Sequence, residues 1–300
     1  MAVLKIGQGS FEWGARTIVM GILNITPDSF SGDGLLSGAG TPAGEMGWLE
    51  RAVEQARRFL AAGADILDVG GESTRPGSQT VSADDELERV MPVISALVSR
   101  LPDSLISVDT YKAAVAAEAL AAGAHIINDV WGLRADPLLA EVVAKHKVPI
   151  ILMHNRSKPT NALVQANLGG RYVGMEYADL LEDVKTELLQ SVALASAAGI
   201  ARGKIILDPG IGFGKTIEQN LELLNRLGEI RSLGYPILLG PSRKSFIGYS
   251  LNLPPDQRVE GTAAAVAVGI VRGADIIRVH DVEMMARVAR MTDAIVRNKH

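Results

Sequence analysis

Ala274-Asp-Ile-Ile-Arg-Val-His280 is a short apolar run that ends in a guanidinium and an imidazole, and it is entered through Val271-Arg-Gly-Ala274. The same grammar occurs twice earlier, in Ala61-Ala-Gly-Ala-Asp-Ile-Leu-Asp68 and Ala121-Ala-Gly-Ala-His-Ile-Ile-Asn-Asp129. Each time an Ala-rich helical stretch stops at Gly, the chain turns, and an apolar run delivers polar groups at its C-terminal end. Gly suits the left-handed position just past a helix. A continuous β-branched run suits a strand covered on both faces. The repeat is therefore a helix-to-strand unit, and counting such units gives the fold.

Working outward from these three, the runs that read as strands are Thr17–Leu23 ending at Asn24, Asp65–Val69, Leu105–Asp109, His125–Val130, Pro149–His154, Lys204–Asp208, Pro236–Leu239 and Ala274–His280. Helical spacing is read over Glu45–Ala62, then over a segment with Leu87, Val90, Ile94 and Leu97 that Ser82 and Asp85 cap. Pro92 predicts a kink or restart in that second helix. Thr110 is the expected N-cap of a helix to Ala122. Further helices are expected over Pro137–His146, Tyr177–Ala198, Ile217–Leu233, Arg258–Arg272 and Val282–Val296. Thr26–Gly44, Gly70–Ser78 and Asn155–Glu176 are the long loops. Eight strand-then-helix units without a linker predict a single-domain α/β fold, a (β/α)8 TIM barrel over residues 17–298 after a lead-in of 1–16. The rival is an open doubly wound sheet.

The 300 residues are 47% hydrophobic with a net charge of −4, so a core is affordable by composition and no basic field points to nucleic acid. The absence of Cys excludes disulfides, thiolate metal sites and a Cys nucleophile. Neither a signal peptide nor a membrane span is read, and a soluble, cytoplasmic enzyme without a membrane partner is expected.

In a barrel the residues ending each strand face a common mouth. Those positions hold Asn24, Asp68, Asp109, Asn128, His154, Asp208, Lys244, Arg278 and His280, with Thr74 and Arg75 on the second loop. Carboxylates and amides there suit the N–H groups of a polar heterocycle. The cations of Ser242-Arg-Lys-Ser245, with Arg278 and His280, lie on the last two strand ends, where barrels hold phosphate and a helix N-terminus adds donors. Each of these residues also has a structural alternative: an ion pair or cap for Asp109 and Asp208, a turn for Asn128, an Asx-turn for Asn24. Asp208-Pro-Gly-Ile-Gly-Phe-Gly-Lys-Thr216 is not a P-loop, because Pro209 stands where its first Gly is required. Its glycines suit a backbone passing close to a ligand, with Phe213 as an apolar wall. Asn24, in Asn24-Ile-Thr-Pro-Asp-Ser-Phe30, offers the kind of hard oxygen that Mg2+ accepts beside substrate phosphate.

Seven stretches, MGILNITPDSFSGDG, DVGGESTRPGS, SVDT, INDV, LDPGIGFGK, GPSRKSFIG and IRVHDV, resemble the motifs of the dihydropteroate synthases, a family of the pterin-binding superfamily, in the family's order. The resemblance implies a (β/α)8 barrel that condenses 6-hydroxymethyl-7,8-dihydropterin diphosphate with 4-aminobenzoate, giving 7,8-dihydropteroate and diphosphate, the step of folate biosynthesis that sulfonamides block. It implies pterin contacts from Asp109, Asn128, Asp208 and Lys244 with Met153 as a wall, Mg2+ on Asn24, and diphosphate on Arg278 and His280. Thr74, Arg75, Phe213 and Ser245 would form the aminobenzoate site. A homodimer through outer helices is also implied, with Arg258–Arg272 as a candidate. Asn24, Asp109, Arg278 and His280 are the expected catalytic set.

Two departures stand out. The family's S-F-S-D-G-G is here Ser29-Phe-Ser-Gly-Asp-Gly34, which displaces Asp33. The common M-H-M-x-G after the fifth strand is here Met153-His-Asn-Arg-Ser-Lys158. Two rivals remain: a methyltetrahydrofolate–corrinoid methyltransferase on the same barrel, which needs no diphosphate cations, and a pterin-binding paralogue without catalysis.

Overall fold

Gly63, Gly123 and Gly273 hold left-handed φ angles of 104°, 110° and 102°, so the repeated helix–Gly–strand pattern is a repeated helix stop. The computed structural model describes residues 3–7, 9–26, 47–73, 78, 80–158, 161–165, 167–173 and 175–297. The order is β1 Val3–Ile6, β2 Gly9–Glu12, β3 Ile18–Asn24, α1 Trp48–Ala62, β4 Ile66–Gly70, α2 Ala83–Arg100, β5 Leu105–Asp109, α3 Ala113–Ala121, β6 Ile126–Asp129, α4 Leu139–His146 and β7 Ile150–Met153. There follow β8 Ala162–Gln165, β9 Gly169–Tyr172, α5 Leu180–Ala197, β10 Ile205–Asp208, α6 Ile217–Asn225, α7 Leu227–Arg231, β11 Leu238–Leu239, α8 Ser245–Leu251, α9 Val259–Val271, β12 Ile276–Val279 and α10 Val282–Val296.

Eight strands pair in parallel in the order β10-β7-β6-β5-β4-β3-β12-β11. The ends meet where Leu207 of β10 bridges Ile237, its N–H donating to the Pro236 carbonyl at 2.9 Å. The sheet thus closes into the expected barrel, and the open doubly wound alternative falls. No helix among the described residues is long and apolar enough to cross a membrane.

Side chains alternate across a strand, and that period sets where the site begins. One apolar layer inside the barrel is built from Ile18 and Met20, Ile66, Leu105, Ile126, Ile151, Ile206, Leu238 and Ile276, so every barrel strand contributes. Leu4, Ile6, Phe11 and Trp13 of the β1–β2 hairpin join the same cluster and plug the barrel floor. Two residues further along, the same inward face carries Asp68, Ser107, Asn128, Met153, Asp208 and Arg278. Replacing the 8%-exposed Trp13 with Ala should leave a cavity under this floor and cost about 3 kcal/mol of stability. Chemical denaturation would read this as a lowered midpoint, and an unchanged midpoint would refute the plug.

Several local expectations are corrected. α2 runs through Pro92 without a restart, and Ser82 caps it as expected, its Oγ accepting from Asp85 N at 3.1 Å. Thr110 does not cap α3. Its Oγ1 accepts from Lys112 N, while the first N–H of α3, on Ala113, donates to Asp136 Oδ2 at 2.7 Å. The helix expected over Ile217–Leu233 breaks at Arg226 (φ −102°, ψ 19°) into α6 and α7. The loop expected over Asn155–Glu176 contains the antiparallel β8–β9 hairpin. Strands of four residues with exposed or half-exposed side chains give no period to read. α8, seven residues long, was too short for periodicity to announce.

Candidate active site

Arg278 is the hub of the barrel mouth. Its Nε donates to Asp68 Oδ2 at 2.6 Å and its NH2 to Asp109 Oδ2 at 2.5 Å. Asn128 Nδ2 donates to the same Asp68 oxygen at 3.1 Å. β4 and β5 place the two carboxylates, β6 the amide and β12 the guanidinium. Asp68 is 0% exposed, and a carboxylate there requires such partners because a bare buried charge is far too costly. Its other oxygen, Oδ1, has no partner among the described residues, nor has Ser107 Oγ on the paired strand position.

The electrostatics follow from burial. Burial pushes the Asp109 carboxyl up to about 7 against the pull of Arg278, with Asp68 adding to the push. Asp208 is likewise raised by burial, against the nearby Lys244 ammonium and the Gly210 N–H that donates to its Oδ1 at 2.7 Å. Burial lowers the Lys244 ammonium to about 8, while Asp208 holds its proton on and Arg278 repels it. Burial also works against the charge of Arg278, but Asp68 and Asp109 outweigh it and raise its pKa. The result is an alternating field of two cations and three carboxylates at the end of an apolar barrel.

Lys244 precedes α8, donates to the Ile211 carbonyl, and lies 4.7 Å over the Phe213 ring. Ser245 is the first residue of α8. Met153 ends β7 and is buried, 3% exposed. His280 is anchored by Ser242, whose Oγ accepts from His280 N at 3.2 Å and lies 2.9 Å from Nδ1. Asn24 ends β3, half-buried, opposite Gly70. Arg243, counted with the phosphate cations in the sequence, pairs instead with Asp281 at 2.6 Å. Thr74, Arg75 and Asp33 lie outside the described residues.

His154 leaves the mouth. Alternation turns it outward from Met153, and it is 1% exposed between Lys215 Nζ at 3.0 Å and Glu187 Oε2 at 3.1 Å. Burial and the Lys215 charge depress it to about 4. Lys215 also donates to the carbonyls of Gly210 (2.9 Å) and Phe213 (3.1 Å), and so ties down the glycine-rich turn from beneath. Nothing in the spacing of single residues signals this. Below the second loop, Lys112 bridges Glu72 to the fully buried Glu86, and Tyr111 donates to Glu72 at 3.3 Å.

Among the described residues no group of three or more His, Cys, Asp or Glu is placed to hold a metal. A cation that takes most of its oxygens from water and substrate needs no such group, and the Asn24 carboxamide, with no hydrogen-bonding partner among the described residues, fits that mode.

Residues 20–280 match the family model described as pterin binding enzyme. A dihydropteroate synthase of Clostridium beijerinckii is 49% identical over 295 residues, 98% of this chain and 100% of that one. The crystal structure of a Clostridium difficile dihydropteroate synthase in the presence of pteroic acid superposes with a TM-score of 0.83 at 47% identity, covering 96% of this chain and 100% of that one. That of Yersinia pestis dihydropteroate synthase with a sulfonamide drug complex gives 0.86 at 42% identity, over 98% of each chain.

Proposed function

Since the chain belongs to the pterin-binding enzymes, we infer that its barrel mouth runs the dihydropteroate synthase reaction, with residues 17–298 as the catalytic barrel. 6-Hydroxymethyl-7,8-dihydropterin diphosphate and 4-aminobenzoate give 7,8-dihydropteroate and diphosphate, a transfer of an alkyl group to an arylamine in folate biosynthesis. The observation that carries the residue assignment is the convergence of Asp109, Asp208 and Lys244 around Arg278, with Asn128 joined through Asp68, at one end of the barrel. Neither the corrinoid methyltransferase nor the non-catalytic paralogue is favoured by the relatives' names.

In this reading the Asp109 and Asp208 carboxylates accept from the pterin's ring N–H and amino groups, Asn128 adds an amide, and Met153 walls the ring. Two of the five N–H donors of Arg278 are committed to Asp68 and Asp109. Its remaining donors and His280, on the same strand end, are assigned to the diphosphate. Asn24 would hold Mg2+, which supplies charge neutralisation to the diphosphate oxygens when bound. The exocyclic C–O bond breaks and its electron pair leaves with diphosphate, whose charge Arg278 and His280 offset as it develops. The pterin, gripped by the carboxylates, carries the positive charge left on the exocyclic carbon. The neutral arylamine nitrogen then attacks that carbon and gives up a proton to solvent. Thr74, Arg75, Phe213 and Ser245 are assigned to the aminobenzoate. Binding of pterin diphosphate that is lost in Asp208→Asn, read by calorimetry, tests the pterin assignment. Equal affinity in the variant would sink it.

A pH profile follows. Asp109 accepts at both oxygens, and with charge assistance, only when ionised, so pterin affinity should grow as pH rises through about 7, and decline above about 8 as Lys244 loses its proton. For stability the Asp109 sign is opposite. A carboxyl whose folded pKa lies above its unfolded one binds the extra proton in the folded state, so its contribution is present at low pH and is lost as pH rises through about 7. A kcat/KM for pterin diphosphate that stays flat from pH 6 to 9 would contradict the assignment.

For the homodimer that the family implies, the candidate face is α9, within the Arg258–Arg272 stretch, and its support is the exposure of Val268 and Val271, 42% and 56%.

A further inference from the structure

The stretch that departs from the family's pattern, Met153-His-Asn-Arg-Ser-Lys158, is also the root of the β8–β9 hairpin. Asn155 and Ser157 are buried there, 4% and 6% exposed. Asn155 Nδ2 donates to the Val130 carbonyl at 3.1 Å. Its Oδ1 accepts from both Ser157 N (2.8 Å) and Ser157 Oγ (2.6 Å). The Ser157 hydroxyl is hydrogen-bonded in turn with Tyr172 on β9. A continuous polar chain thus runs from just past the strand that carries Asn128 to the far strand of the hairpin.

Tyr172 uses that anchorage to present its ring. The ring centroid lies 6.3 Å from that of Phe213 at an interplanar angle of 29°, an offset stack of the favourable kind. The glycine-rich turn that carries Phe213 passes so close that a Cβ on Gly214 would stand 2.7 Å from Ser157 N. The other end of the hairpin is clasped as well. Arg258, 3% exposed, donates to the Leu168 carbonyl at 2.8 Å and to the Arg243 carbonyl at 3.0 Å, directly before Lys244. The Arg171 guanidinium lies 4.6 Å over the Tyr249 ring of α8. The hairpin is thereby fixed both to the strand ends of the pterin side and to the segment that bears Lys244 and Ser245.

We propose that Tyr172, held by the β8–β9 hairpin and the Asn155–Ser157 pair, is a positioning residue for the arylamine substrate, setting the ring plane of Phe213. This rests on the reading in which Phe213 lines the 4-aminobenzoate site. Tyr172 acts through Phe213 and contributes no charge to diphosphate departure, so its removal should weaken arylamine binding and leave the pterin side alone.

The test is steady-state kinetics with the two substrates varied separately. Tyr172→Ala should raise the KM for 4-aminobenzoate by about 3- to 10-fold, the range an aromatic pair supplies. The KM for pterin diphosphate should change less than twofold. Tyr172→Phe, which keeps the ring but loses the Ser157 anchor, should restore part of the 4-aminobenzoate KM. If Tyr172→Ala does not fold, Tyr172→Leu makes the same comparison. An unchanged 4-aminobenzoate KM, or two KM values rising together, overturns the proposal. A wild-type chain that turns over neither substrate overturns the reading beneath it instead.

Discussion

Arg278→Ala should lower kcat/KM by at least about 100-fold, because on the proposed assignment it removes a charge-assisted contact to the leaving diphosphate and undoes the pterin pocket at once. The guanidinium is the partner of both Asp68 and Asp109. Removing one member of a buried ion pair leaves the other charge uncompensated, and here two carboxylates are left. A stability loss of about 3 kcal/mol is expected beside the kinetic one. The two effects separate in a second variant. Asp68→Asn added to Arg278→Ala removes one stranded charge, so the denaturation midpoint should recover in part while turnover does not. If the double variant regained activity, Arg278 would matter only as a counter-ion to Asp68. An Arg278→Ala enzyme with unchanged turnover and diphosphate binding would remove the assignment altogether.

Gly210→Ala should be the most destabilising single-methyl change among the described glycines of the site loops, above about 4 kcal/mol. Gly210 has φ +71°, and a Cβ there would sit 1.8 Å from the His154 carbonyl oxygen. The turn cannot swing away, because Gly210 N is held by Asp208 Oδ1 and Gly210 O by Lys215. Gly14→Ala is the control. Gly14 has φ +84° with nothing within 4 Å of the built Cβ, so it isolates the left-handed strain, worth about 1–2 kcal/mol. Urea midpoints for the two variants measure the difference, and equal losses would mean that the close approach to His154 is relaxed at little cost.

The barrel was legible because its signal is repeated. Three Gly stops and eight apolar runs say the same thing, and the closure at Leu207 and Ile237 agrees. The mouth residues were legible because the two-residue step from an apolar to a polar inward position recurs, as in Ile206 to Asp208 and Ile276 to Arg278. What the sequence did not reveal is pairing. That Arg278 belongs to Asp68 and Asp109, while Arg243 belongs to Asp281, depends on which way long side chains turn across 38 to 210 residues of chain. His154 was misplaced because the last position of a strand run was read as facing the mouth, and alternation puts it behind the sheet. The hairpin plugging the floor and the β8–β9 hairpin share one reason for being missed. Their strands are as short as most barrel strands but carry exposed or half-exposed side chains, so they lack the continuous apolar run that announced the others.

The central claim is that Arg278 and His280 at the end of β12 serve a departing diphosphate while the carboxylates hold the pterin. A single-turnover experiment tests it most directly: enzyme preloaded with 6-hydroxymethyl-7,8-dihydropterin diphosphate and Mg2+ is mixed with 4-aminobenzoate, and diphosphate and 7,8-dihydropteroate are both quantified. The account predicts one equivalent of each per site. Tight binding of the pterin diphosphate with no diphosphate released on adding the arylamine would contradict it.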